Sequence, residues 1–77
     1  MKIPTYDEWE KAVAKEYKGL CGSEDYDGYY QSDEAQEVIK AQYSDNVAEF
    51  KRGDITRRQF MEGGVNSCAW CLMMMTE

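Results

Sequence analysis

Apolar residues recur along this chain with the period of a helix, and no stretch alternates as a strand does. In the first twenty residues Tyr6, Trp9, Val13 and Leu20 fall on one face, with Tyr17 at its border. Thr5 is placed to cap that helix, and Glu8 completes a capping box. Gly19 and Gly22 signal its end, so the first helix is expected over about 6–18.

A second stripe follows, made of Ile39, Tyr43, Val47 and Phe50. It opens at Ser32 or Asp33, with Gln36 spaced to box with Asp33, and it stops at Gly53. That places a helix over about 34–51. Thr56 and Gln59 then form another box, and Ile55 can staple onto Phe60. Beyond them Met61, Val65, Cys68, Leu72 and Met75 hold a common register, which predicts one helix over about 57–75. The register runs through Gly63 and Gly64, although each costs ~1 kcal/mol against alanine in a helix. A break at the glycine pair is the lesser reading.

The expected fold is all-α: a small three-helix domain with a long acidic, tyrosine-rich loop over 19–33 between the first two helices. Its core should be built from Trp9, Val13, Ile39, Tyr43, Phe50, Ile55, Phe60, Val65, Cys68 and Leu72. With 77 residues the chain is expected to be a single domain.

Charge changes the picture most in the middle of the chain. The net charge is −6, yet residues 21–49 alone carry eight acids against Lys40. Such a chain repels phosphate backbones, which argues against direct nucleic-acid binding. Basic protein surfaces or cations are the natural partners. The apolar run CAWCLMMM is too short to span a bilayer, which takes ~20 residues, so no membrane role is expected. The odd count of three cysteines does not suit a disulfide scaffold, and no secretory leader is legible, so a cytoplasmic location is expected.

Histidine is absent, which removes Ser–His and Cys–His devices within the chain. No glycine-rich phosphate-binding pattern stands in its place, so no catalysis and no cofactor are expected. Cys68 and Cys71 form a C-x-x-C, but it lies mid-helix with no strand before it. Two small hydrophobes is the plainer reading.

The segment SEDYDGYYQSDE admits three readings. It resembles an EF-hand calcium loop, with Ser23, Asp25, Asp27, Tyr29 (through its carbonyl), Gln31 and Glu34 at the ligand positions and Gly28 at the turn. The resemblance implies a degenerate calcium site, because Ser23 stands where the pattern has an aspartate. In the second reading the segment docks a protein. Tyr26, Tyr29 and Tyr30 form an aromatic centre, rimmed by Glu24, Asp25, Asp27, Asp33, Glu34 and Glu37. That surface suits the basic groove of a partner, including one that otherwise holds nucleic acid, and makes the protein an inhibitor or regulator by occupancy. In the third, the tyrosines fold back onto a small core and the segment only connects.

The last helix raises a separate expectation. Trp70 and Met74 point away from its core stripe, so a second apolar face is left for a partner. Self-association as a two-fold dimer, in an assembly or structural role, is the simplest use of it.

Overall fold

A computed structural model of the chain describes residues 3–75. The first helix, α1, spans Tyr6–Cys21. Thr5 Oγ1 accepts the Glu8 amide at 3.2 Å, so one orphan donor of the first turn is satisfied. Gly19 is accommodated within α1, and the chain turns only at Gly22, whose φ of 89° disfavours a residue with a side chain.

Here the structure corrects the expected fold. Four α-helices are present among the described residues, not three, and no long acidic loop separates the first two. A five-residue helix, α2 (Ser23–Asp27), starts directly after Gly22. The Gly28 amide returns to the Glu24 carbonyl, and a 3-10 turn, Tyr29–Gln31, leads on. Helix α3 spans Asp33–Arg52. The acids Glu24 and Asp25 lie in the first turn of α2, where the helix dipole favours them. So short a helix needs tertiary packing to persist, and buried Tyr30 and half-buried Tyr26 supply it.

Ser32 caps α3, its hydroxyl accepting the Ala35 amide at 3.2 Å. Gln36 does not box with Asp33; its amide donates to the Tyr30 carbonyl at 2.7 Å, tying α3 to the 3-10 turn. Gly53 ends α3 in the left-handed conformation. Thr56 and Gln59 then make a reciprocal box, at 2.8 Å and 3.1 Å. The backbone is helical from Arg57 onward, passes through a π-helical segment at Gln59–Gly64, and continues as α4, Val65–Met75.

The most extensive packing is between α1 and α4. Trp9, Val13 and Tyr17 meet Val65, Cys68 and Leu72 in one buried cluster, joined by Ile39 and Ala35 of α3, Phe60 and Tyr30. Tyr43, Phe50 and Ile55 are only half-buried and form its margin. The Tyr43 ring lies edge-on to Tyr6 and Phe60, and Phe50 lies edge-on to Phe60. Tyr17 and Tyr30, outside the core expected from the stripes, are 0% and 1% exposed.

The π-helical segment has identifiable partners. A π turn widens the ladder and disturbs the regular pairing of its carbonyls. Trp9 Nε1 donates to the Phe60 carbonyl at 3.2 Å in the buried interior. Gly64 lies beneath Asn46 of α3, so close that a Cβ there would fall 2.9 Å from Asn46 Nδ2. No described helix is long and apolar enough to cross a membrane.

Candidate docking surface

The tyrosines of the acidic segment form a stack that runs inward. Lys18 Nζ stands 4.1 Å over the Tyr26 ring. Tyr26 stacks on Tyr30 at 4.9 Å, and Tyr30 meets Tyr17 at 5.3 Å. The Tyr30 hydroxyl donates to Glu10 Oε2 on α1. Burial, and then that carboxylate, hold the Tyr30 hydroxyl far above the ordinary tyrosine range. At 1% exposure Tyr30 cannot touch a partner, which removes it from the expected aromatic centre. Tyr26 and Tyr29 are half-buried. The ring stack therefore acts mainly as a foundation under α2.

The carboxylates behave differently. Glu24, Asp25, Asp27, Asp33, Glu34 and Glu37 are all exposed. The ion pairs among the described residues join Arg52 to Asp54, Arg57 to Glu8, and Arg58 to Glu62, and none involves these six. Asp33 and Glu34 also sit in the first turn of α3, where the dipole favours them. No basic residue interrupts the sequence from 19 to 39. The result is a concentrated negative surface on α2 and the start of α3.

The calcium-loop register is not a loop in the structure. Ser23, Asp25 and Asp27 lie on α2, Tyr29 and Gln31 in the 3-10 turn, and Glu34 on α3. Residues two apart on a helix do not face each other, so Asp25 and Asp27 diverge. Among the described residues, no group of three or more His, Cys, Asp or Glu side chains is placed to hold a metal.

At the other end of the chain α4 presents an apolar surface. Trp70, Met74 and Met75 are 45%, 70% and 40% exposed. With Asn66, Ser67 and Cys71 they line a shallow open groove of about 750 Å³ that has no charged residue in its lining. Tyr29 joins this groove to the acidic surface. Its hydroxyl donates to Glu34 Oε1 at 3.1 Å and lies 3.7 Å from Met75 Sδ. Burial, then the Glu34 carboxylate, raise the Tyr29 hydroxyl above its usual range. Sequence spacing placed Met75 on the core stripe and gave no signal of this junction, because the two segments lie 46 residues apart.

The thiols offer little chemistry. Cys68 is fully buried, and burial, then Cys71, push its thiol up to about 12, so the reactive thiolate is scarce at neutral pH. Cys71 is half-buried in the α4 groove, and no disulfide forms. Comparison with protein-family models, curated proteins and solved structures finds no match.

Proposed function

We propose that this chain is a small acidic binding module of the cytoplasm that docks on a basic surface of a partner protein. The observation that carries this reading is the set of six exposed carboxylates on α2 and the start of α3, outside every described ion pair. Opposite charge across an interface steers encounter and fixes orientation. The stacked tyrosines beneath α2 limit the ordering cost, because the charges are presented by packed helices instead of a floppy loop.

A protein surface rich in lysine and arginine is commonly one that holds nucleic acid. Occupying it blocks the phosphate backbone from the same cations, so the module acts as an inhibitor or regulator and performs no chemistry. The test is capture of partners from the cells of origin, with wild type beside an Asp25→Asn, Asp27→Asn, Glu37→Gln variant. Wild type is expected to retain proteins that the variant loses, and DNA or RNA should displace them. Equal capture by both proteins contradicts the reading.

A further inference from the structure

Resting on that reading, we infer that the α4 groove takes the apolar face of a basic amphipathic helix, whose cationic side chains reach Glu34 across Tyr29. Three observations select this occupant. Trp70, Met74 and Met75 leave an uncharged apolar groove open to solvent. One phenol hydroxyl touches both its margin, at Met75, and a carboxylate in no described ion pair, at Glu34. Asp33 and Glu37 stand exposed beside Glu34 on the first turns of α3, so cations entering there meet further carboxylates.

A second copy of the chain fits less well. The exposed parts of Trp70, Met74 and Met75 amount to roughly 300 Å², against about 800 Å² per partner in a standard interface. Each copy also brings a net charge of −6. A basic helix makes up the missing area by continuing onto the acidic rim. Methionine suits such a site, since its unbranched side chain repacks around different apolar shapes.

The probe is an 18-residue helical peptide of leucine and lysine, leucines on one face. A control peptide has serine at every leucine position, and so keeps the charge. Methionine methyl signals are followed by NMR during titration of the full chain. The Leu–Lys peptide is expected to shift the Met74 and Met75 methyls and leave Met61 unmoved. Met74→Gln should weaken this peptide roughly fivefold to tenfold, since it removes an apolar contact of ordinary size. Glu34→Gln should weaken it about threefold, as the loss of one partly exposed charge pair does. Neither variant is expected to lose helicity, because both side chains are exposed. Equal binding of both peptides, with the Met74 and Met75 methyls unmoved, overturns the groove inference and leaves the acidic docking surface standing. Failure of both peptides to bind overturns the groove inference, while the acidic docking surface is judged by its own capture experiment. Methyl shifts that appear on concentration alone, with a sedimenting dimer, give the groove to a second copy and also overturn the inference.

Discussion

Replacing Gly63 and Gly64 one at a time with alanine separates helix propensity from helix packing. Both glycines lie in the π-helical segment before α4. Glycine in a helix is less favourable than alanine by about 0.5–1 kcal/mol, mostly through backbone entropy. At Gly63 an added Cβ meets nothing within 4 Å. Gly63→Ala should therefore stabilise the fold by about 0.5–1 kcal/mol. At Gly64 the same methyl would fall 2.9 Å from Asn46 Nδ2 and 3.1 Å from its Cγ and Oδ1. The whole amide must swing away, and its 2.9 Å hydrogen bond to the Gln42 carbonyl is lost. The lost bond costs about 0.5–1.5 kcal/mol, which offsets the entropic gain, while the amide itself, the end of a side chain, is free to rotate aside. Gly64→Ala is therefore expected to fall between neutral and about 1 kcal/mol destabilising, clearly below Gly63→Ala. In an Asn46→Ala background the obstacle is gone, and Gly64→Ala should then stabilise as Gly63→Ala does. Urea unfolding followed by circular dichroism measures all four variants, with an unchanged m-value as the check on two-state behaviour. If Gly64→Ala matched Gly63→Ala in the wild-type background, the close seating of this segment on α3 would be refuted.

Other substitutions probe the core and its pH dependence. Phe60→Ala removes a fully buried ring that touches Tyr43 and Phe50, and should cost ~3–5 kcal/mol in the same unfolding assay. Trp9→Phe leaves the buried Phe60 carbonyl without its indole donor, an expected loss of about 1–3 kcal/mol. Tyr17→Phe should change stability little at pH 7, because its buried hydroxyl has only the weakly hydrogen-bonding Cys21 thiol beside it. Burial, then Cys21, raise the Tyr17 hydroxyl to about 12. A raised folded-state value means full stability below the unfolded tyrosine value of about 10, and loss as pH climbs from there. The fall measured between pH 10 and about 12 should be shallower in Tyr17→Phe than in wild type. An identical slope in both would show that this hydroxyl ionises as it does in the unfolded chain.

Much of the fold was legible where local chemistry decides it. Thr5 as a cap, Thr56 with Gln59 as a box, and Gly53 act at helix ends as their types and spacing indicate, whereas the Glu8 carboxylate faces Arg57 instead of closing a box with Thr5. The acidic segment was not legible in the same way. Its five-residue helix is too short to show a period, and it depends on tyrosines packing against α1, a contact that leaves no mark in local sequence. Gly19 misled because glycine inside a helix costs little when the rest of the helix is packed; the stop lies at Gly22, where φ turns positive. The candidate site was legible in part. Glu24, Asp25, Asp27, Asp33, Glu34 and Glu37 stand exposed, and so do Trp70 and Met74. Tyr30 is lost to the core, and the junction at Tyr29 needed the tertiary fold to appear.

Docking through the carboxylates of α2 and α3 on a basic protein surface is what we propose for this chain. Its most direct measurement is the affinity for a purified captured partner across a salt series. Wild type is compared with the Asp25→Asn, Asp27→Asn, Glu37→Gln variant at each salt concentration. Surface charges act over about a Debye length, ~10 Å at 0.1 M salt and ~3 Å at 1 M. Wild-type affinity should fall steeply as salt rises, while the variant starts weaker, falls less, and meets wild type at high salt. Parallel lines of equal slope and affinity would contradict the account.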